Sequence, residues 1–249
     1  MEIEVVRKVL DANDLIATEN RREFDDAGCF VVNMMGSPGS GKTSVLERTL
    51  SALGGEFRTG ILEGDIRGSF DADRLRRFGL PIAQINTDPL FGGECHLDAR
   101  MVRNALASLP LGKLDLLIIE NVGNLVCPAE FWVGEDRKVM VASVTEGEEK
   151  PLKYPLMYRQ STVLLLNKLD LMPHVGFDLA GFRDNVARIN PMLPVIEMSA
   201  RTGEGIDGWV EWLRREASAL AASRKERSVQ HAGRRDDGAG EANGQGTGG

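Results

Sequence analysis

Residues 31–50, VVNMMGSPGSGKTSVLERTL, decide the fold, because an apolar run leads through a glycine-rich loop into an amphipathic segment. Within this stretch, residues 36–43 (GSPGSGKT) match the pattern GxxxxGK[ST] of a phosphate-binding loop, or P-loop. The pattern lies between a predicted strand and a predicted helix, which is the setting that this motif requires. The sequence therefore predicts a nucleotide site formed by Gly36, Ser37, Pro38, Gly39, Ser40, Gly41, Lys42, Thr43 and Ser44.

The residue types of this loop suit the binding of phosphate. Gly39 and Gly41 let the backbone bend so that successive N–H groups converge on phosphate oxygens. Lys42 would bring a positive charge to the β- and γ-phosphates, and Thr43 would offer its hydroxyl to Mg²⁺. The amino end of the following helix favours negative charge as well. A glycine-rich turn without a ligand is the alternative, and the strand–loop–helix setting argues against it.

The rest of the chain alternates short apolar runs with amphipathic segments. Predicted strands are 29–35, 58–63, 82–86, 115–120, 138–143, 162–166 and 195–198, and predicted helices are 42–53, 72–78, 97–108, 152–158, 178–189 and 206–220. This alternation predicts an α/β fold of the P-loop NTPase class, with a mostly parallel central sheet and helices on both faces. Ligands of such sheets bind at the carboxyl ends of the strands.

Three segments are predicted along the chain. Residues 1–26 are expected to form an N-terminal helical segment, and residues 27–222 the P-loop domain. Residues 223–249 have few apolar side chains and many glycines and charges, so they are predicted to be a disordered tail.

Bulk composition excludes several classes of protein. The formal net charge of −7 argues against a nucleic-acid-binding protein, which normally carries a basic face. No apolar run approaches the roughly 18 residues of a membrane span, and the charged N-terminus lacks the apolar centre of a signal peptide. Three cysteines give no disulfide framework. These features together predict a cytoplasmic protein.

A second motif, Asn167-Lys168-Leu169-Asp170, follows the apolar run of 162–166 and matches the guanine-reading pattern NKxD. The carboxylate of Asp170 would accept hydrogen bonds from N1–H and the exocyclic amino group of guanine, and adenine offers neither donor there. Asn167 would tie this segment to the P-loop, and the Lys168 stem would cover the face of the base. Residues Ser199, Ala200 and Arg201 follow the last predicted strand, where GTPases carry an SAK-like motif.

Two carboxylates at predicted strand ends are candidates for the catalytic step. Glu120 ends the strand 115–120, and Gly123 follows it in the order of a DxxG motif with Glu in place of Asp. Glu120 and Asp65 would bind Mg²⁺ with Thr43, and Gly123 would sense the γ-phosphate. Lys42, Asp65 and Glu120 are therefore the predicted catalytic residues, although a solvated or helix-capping carboxylate is the alternative for Asp65. No obvious glutamine would orient the attacking water, so slow intrinsic turnover is predicted.

Cys95, His96 and Cys127 are candidate ligands of a transition metal. Thiolate and imidazole groups suit Ni²⁺ or Zn²⁺. Cys127 lies seven residues after Glu120, so a metal there would be coupled to the γ-phosphate. One chain supplies three obvious ligands, and a fourth would come from water or from a second subunit. The alternative is two unrelated thiols and a polar histidine.

With these residues, the chain resembles the hydrogenase nickel-incorporation GTPases (HypB). The resemblance covers roughly residues 10–222 and includes CHLDA, ENVGNLVCPAEF, SVTEGEEKPLKYP, NKLDL and SARTGEGI. It implies a GTP-dependent homodimer that passes nickel to the large subunit of [NiFe] hydrogenase with a small zinc-binding partner chaperone. It also implies that the metal ligands of the GTPase domain are Cys95, His96 and Cys127.

The chain departs from this family in two places. Many members carry an N-terminal CxxCGC motif or a histidine-rich stretch, and this sequence has neither, so high-affinity nickel storage is not expected. Residues 88–94 make the link between QINT and CHLDA longer than expected. Three alternatives remain at this stage: a related metallochaperone GTPase for another metalloenzyme such as urease, a P-loop kinase of small molecules, and a non-catalytic metal-binding protein with a vestigial nucleotide site. NKLD argues against the kinase, and the intact Lys42, Thr43 and Asp170 argue against the non-catalytic protein.

Overall fold

The core of the fold is a parallel sheet of seven strands in the order β3-β2-β4-β1-β5-β6-β7. A computed structural model of the chain describes residues 4–65, 74–87 and 95–237. The strands are β1 (Phe30–Met35), β2 (Thr59–Asp65), β3 (Ile82–Asn86), β4 (Leu116–Glu120), β5 (Arg137–Ser143), β6 (Val163–Asn167) and β7 (Val195–Glu197). Every pairing between neighbouring strands is parallel. The predicted α/β class is thus confirmed.

Helices cover both faces of this sheet. They are α1 (Glu4–Asp26), α2 (Lys42–Leu53), α3 (Ala99–Leu106), α4 (Cys127–Glu130), α5 (Lys150–Lys153), α6 (Pro155–Gln160), α7 (Met172–Val175), α8 (Leu179–Ile189) and α9 (Ile206–Asp237). Across the described ranges, none of the helices is both long and apolar enough to span a bilayer. The predicted helix 72–78 lies partly outside the described residues, and the link 88–94 lies wholly outside them.

Alternation along β1 explains why two faces are covered. Val32 and Met34 belong to the apolar cluster that contains α2 and α9, whereas Val31 belongs to the cluster that contains Phe24 of α1. All six residues of β1 are buried, as expected of a central strand in a parallel sheet. The carboxyl end of β1, where the P-loop begins, is therefore held from both sides.

Helix α1 is fixed to the domain by two asparagines. The Asn13 amide donates to the Trp132 carbonyl at 2.7 Å and accepts from the Ala99 backbone N–H at 2.9 Å. The Asn20 amide donates to the carbonyls of Ala99 (2.8 Å) and Val133 (3.1 Å). Buried polar groups are normally hydrogen-bonded, and these two amides have their partners in other elements. Their hydrogen bonds therefore hold α1 against both the start of α3 and the segment after α4.

One boundary differs from the sequence prediction. A disordered tail was predicted from residue 223, but α9 continues to Asp237, and residues 238–249 lie outside the described part. The segment has few apolar residues, which suggested disorder. Its Ala, Arg, Lys, Glu and Gln residues are nevertheless strong helix formers. Arg224 also anchors the helix, because its guanidinium donates to Asp25 Oδ1 at 3.0 Å and to the Cys29 carbonyl at 3.1 Å.

The predicted helix 152–158 is interrupted near its middle. Helix α5 ends at Lys153 and α6 begins at Pro155, with Tyr154 between them at φ −129° and ψ 54°. Proline has no N–H to donate and disfavours helical backbone in the residue before it. The break therefore falls where Pro155 requires it.

Candidate nucleotide and metal sites

The P-loop connects the end of β1 to the start of α2. The Lys42 ammonium group is buried beneath the loop and donates to the carbonyls of Gly36 and Ser37, each at 3.3 Å. Gly41 has φ +97°, and a Cβ atom there would lie 2.5 Å from the Asn167 amide nitrogen. Glycine at position 41 is thus required by backbone conformation and by the close approach of the NKLD segment.

A cavity of about 510 Å³, here called the P-loop cavity, opens beside this loop. Its lining brings together Gly39, Lys42, Thr43, Asp65, Glu120 and Gly123. The Thr43 hydroxyl donates to Glu120 Oε1 at 2.7 Å. The three predicted catalytic residues, which are far apart in sequence, therefore meet at one edge of the sheet.

Residues 120–124, here called the switch segment, lie directly against the P-loop. A Cβ atom on Gly123 would be 2.8 Å from Cα of Pro38 and 2.9 Å from its nitrogen, so any side chain would force the two segments apart. The next residue, Asn124, donates its backbone N–H to the Gly36 carbonyl at 3.0 Å. A change in the position of the P-loop is therefore transmitted to the switch segment.

A second cavity of about 650 Å³, here called the NKLD cavity, adjoins the first. Its lining includes Gly41, Ser44, Asn167, Lys168, Asp170, Ala200 and Arg201. Asn167 joins the surrounding loops: its amide donates to the Ser40 carbonyl at 3.0 Å and accepts from the Ala200 N–H at 2.9 Å. The Lys168 ammonium group reaches the Gly39 carbonyl at 2.6 Å, so its stem crosses between the two cavities.

The Asp170 carboxylate is held in place by the loop after β7. The Ser199 hydroxyl donates to Asp170 Oδ1 at 2.6 Å. Arg201 lies 3.9 Å from Asp170 Oδ2, but its side chain is 82% exposed, and such an ion pair is weak. The carboxylate therefore has a fixed orientation and keeps acceptor capacity toward the NKLD cavity.

Cys95, His96 and Cys127 form a thiol–imidazole cluster beyond the switch segment. Their potential ligand atoms all lie within 4.8 Å of one another. The two sulfur atoms are 2.9 Å apart, and Cys95 Sγ is 3.9 Å from His96 Nδ1. The three groups are close enough to bind one metal ion if the two sulfur atoms separate to the roughly 3.8 Å that a tetrahedral centre with bonds of about 2.3 Å requires. His96 is buried with its ring centroid 4.0 Å from that of Phe131, which limits rotation of the imidazole.

Comparison with known proteins identifies the family. Residues 30–197 match the family model "CobW/HypB/UreG, nucleotide-binding domain". The hydrogenase maturation factor HypB of Azotobacter vinelandii is 47% identical over 222 residues, which are 89% of this chain and 72% of that protein. The chain belongs to the HypB family.

Other members of the HypB family support the same assignment. A crystal structure of HypB from Helicobacter pylori in complex with nickel superposes with a TM-score of 0.78 at 34% identity, covering 84% of this chain and 96% of that one. The hydrogenase/urease maturation factor HypB of Helicobacter hepaticus is 39% identical over 82% of this chain and 84% of that protein. Membership of this nucleotide-binding family supports nucleotide hydrolysis as the general activity of the chain.

The HypB-family chain uses residues at these sites that the motifs did not indicate. Arg48 of α2 donates from Nε to the Ala200 carbonyl and from Nη2 to the Arg201 carbonyl, both at 2.7 Å, and so clamps the loop after β7. Glu146 accepts from the Ser37 hydroxyl at 2.6 Å and holds the P-loop from its other side. Arg48 and its carbonyl partners are separated by about 150 residues, and the sequence contains no signal for such a contact.

The thiol of Cys127 in this HypB-family chain is less acidic than an ordinary cysteine. Burial and then the hydrogen bond with Cys95 raise its pKa to about 11. Because only the thiolate binds a metal ion, binding of a metal by Cys127 would release a proton. Cys29, the third cysteine, is buried in the α1-side core, where burial raises its pKa to about 12. Its side chain is fully buried and is not part of the group of potential ligands among the described residues.

Proposed function

We propose that this chain is a GTP-hydrolysing metallochaperone that delivers nickel during the maturation of [NiFe] hydrogenase. The observation that carries the proposal is the thiol–imidazole cluster at the end of a switch segment that abuts the P-loop. Relatives named hydrogenase maturation factor HypB, and a HypB crystallised with nickel, support the same role.

Guanine selectivity would come from Asp170 in the NKLD cavity. Ser199 fixes one oxygen of the carboxylate, which leaves the group oriented to accept from the two donors of guanine. Adenine would leave this carboxylate without those donors, and sites of this kind can discriminate by roughly 10⁴-fold. Asn167, Lys168 and Arg48 would act indirectly, because their hydrogen bonds hold the loops around the base.

The P-loop cavity would hold the triphosphate and its metal ion. Lys42 would exchange its carbonyl partners for phosphate oxygens, and the backbone N–H groups of residues 39–43 would add further donors. The oxygen ligands that Mg²⁺ prefers are present as Thr43, Asp65 and Glu120. Bound Mg²⁺ would neutralise charge on the β- and γ-phosphates. Asp65 would orient the attacking water, and slow turnover is expected because no glutamine is among the described residues that line this cavity.

Nickel is the cargo in this scheme. Two thiolates and one imidazole provide three ligands, and a second copy of the chain or a water molecule would complete the site. We therefore propose a homodimer that forms with GTP bound and relaxes after hydrolysis. A small zinc-binding chaperone and the hydrogenase large subunit are the proposed partners. Zinc remains the other metal that these ligands would accept.

A role in urease maturation is the second candidate. It is favoured by the relative from Helicobacter hepaticus, whose name includes both hydrogenase and urease. The two roles share the nucleotide and metal chemistry and differ in the client enzyme. Activation of purified apo-hydrogenase and apo-urease by the nickel-loaded chain would separate them.

Replacement of Asp170 by asparagine is expected to change which nucleotide is used. An amide places a donor against the donors of guanine, whereas xanthine offers an acceptor there. The preference for GTP over xanthosine triphosphate should therefore fall by at least about 100-fold. Competitive binding of the two triphosphates measures it.

The control for this change is Asp178→Asn. Asp178 caps α8 by accepting from the Gly181 N–H at 3.0 Å, and asparagine caps helices equally well. An unchanged preference for GTP in Asp170→Asn would mean that this carboxylate does not read the base.

The proposed function is tested by titrating nickel into the protein with GDP or with a non-hydrolysable GTP analogue and Mg²⁺. Affinity should differ between the two states by about 5–150-fold, the usual range for coupled sites. Oligomeric state, followed by analytical ultracentrifugation, should shift toward the dimer with the analogue. Equal nickel affinities in both states would contradict a delivery cycle driven by nucleotide.

A further inference from the structure

Asn124 stands where the P-loop meets the thiol–imidazole cluster. Its backbone N–H donates to the Gly36 carbonyl at 3.0 Å, and the two residues form an antiparallel bridge outside the sheet. Its side-chain amide donates to the Cys95 carbonyl at 3.1 Å and accepts from the Val126 N–H at 2.8 Å. One residue thus contacts the nucleotide loop through its backbone and the metal-ligand segments through its side chain.

The side chain of Asn124 reaches the segments of both cysteines. By accepting from Val126 it closes an Asx-type turn immediately before α4, whose first residue is Cys127. The carbonyl that it binds on the other side belongs to Cys95. The relative position of the two sulfur atoms is therefore defined in part by one planar amide.

A second asparagine of the switch segment strengthens this connection. Asn121 Oδ1 accepts from the Leu97 N–H at 3.1 Å, next to His96 in the chain, and its amide donates to Asn33 Oδ1 of β1 at 3.2 Å. Residues 95–97 are consequently held by amides from both ends of the switch segment. Asn121 is buried against β1, whereas Asn124 lies beside the part of the segment that abuts Pro38.

We propose that Asn124 is the positioning residue through which the nucleotide state sets the affinity for nickel, an inference that rests on the proposed function. A shift of Gly123 toward or away from the γ-phosphate must displace the Cα atom of Asn124. Its rigid side-chain amide carries that displacement to the Cys95 carbonyl and to the turn before Cys127. Asn124 lines neither nucleotide cavity, and it is not one of the three thiol and imidazole groups of the cluster.

Replacing Asn124 by alanine separates the two halves of this link. The backbone bond to Gly36 survives any non-proline substitution, whereas the bonds to Cys95 and Val126 are lost. The ratio of nickel affinities between the GDP and GTP-analogue states is expected to fall from the wild-type value of about 5–150 to within about twofold of 1. Affinity for each nucleotide without metal should stay within about threefold of wild type.

Two further variants make this experiment decisive. Asn124→Asp keeps an acceptor for the Val126 N–H but cannot donate to the Cys95 carbonyl, so its affinity ratio should also fall; it carries the test if the alanine variant fails to fold. Asn190→Ala is the matched control, because Asn190 also donates its amide to a backbone carbonyl, that of Tyr158 at 3.1 Å, outside both sites. It should keep the wild-type ratio.

The affinity ratio distinguishes failure of this inference from failure of the proposed function. A wild-type ratio retained by Asn124→Ala, or by Asn124→Asp when alanine does not fold, would overturn the role of Asn124 and leave the delivery cycle intact. A wild-type protein with a ratio of 1 would overturn both. A low ratio in the Asn190→Ala control would mean that general loosening, rather than the amide at position 124, removes the coupling.

Discussion

Lys42→Ala is expected to lower kcat/KM for GTP by at least about 100-fold, equivalent to about 2.7 kcal/mol of transition-state stabilisation. The ammonium group lies within 3.3 Å of two P-loop carbonyls and is almost wholly buried, so it is already at the place where phosphate charge would be bound. Alanine removes the charge and leaves the loop glycines unchanged. Steady-state release of inorganic phosphate from GTP measures the effect.

The control for Lys42 is Lys113→Ala. Lys113 is exposed and lies before the start of β4, at the opposite edge of the sheet from the P-loop. Its replacement by alanine should therefore leave turnover unchanged. Thr43→Ala should cause a comparable loss that Thr43→Ser restores, because serine keeps the hydroxyl that now donates to Glu120. If Lys42→Ala hydrolysed GTP at the wild-type rate while circular dichroism showed an intact fold, the assignment of the P-loop to the catalytic site would be wrong.

Cys127→Ala is expected to weaken nickel binding by at least about 100-fold. Residues that only support a metal ligand typically change metal affinity by 10–100-fold, so loss of a ligand should cost at least the upper part of that range. Alanine leaves Cys95 and His96 as an incomplete pair of donors. Competition with a chromophoric chelator measures the affinity, and Cys95→Ala and His96→Ala should weaken binding as well.

The third cysteine provides the control for this experiment. Cys29→Ala removes a thiol that is fully buried among core residues of the α1 side. It should lower the free energy of unfolding while leaving nickel affinity unchanged. If Cys127→Ala bound nickel as tightly as wild type, the thiol–imidazole cluster would not be the nickel site.

The sequence predicted the sheet well because each strand is a short, continuous apolar run between polar or glycine-containing segments, a pattern that favours buried strands. Each of the seven predicted strands begins and ends within two residues of an observed one. The strand ends also predicted the P-loop cavity, since parallel strands place their carboxyl ends at one edge. The helical extension to Asp237 was missed because helix propensity there is not accompanied by an apolar face.

Contacts made through the backbone of distant residues were beyond the reach of sequence patterns. Asn124 belongs to the segment ENVGNLVCP, but its amide donates to the backbone carbonyl of Cys95. Every residue has such a carbonyl, so the sequence does not indicate this partner. The same holds for Arg48, whose acceptors are two carbonyls of the loop after β7. A sequence motif consists of side chains that recur because of their chemistry. It does not indicate which backbone groups position those side chains.

The attachment of α1 has a consequence for synthesis on the ribosome. Asn13 and Asn20 find their partners Trp132 and Val133 at separations of 119 and 113 residues. At elongation rates of 5–20 residues per second, roughly 6–24 s pass between the emergence of α1 and that of its docking site. During this interval the two asparagines lack these carbonyl partners, although Phe24 can already pack against earlier core residues such as Val31 and Leu62. Helix α1 therefore cannot complete its docking until residues 132 and 133 have been made, and it stays accessible to chaperones before then.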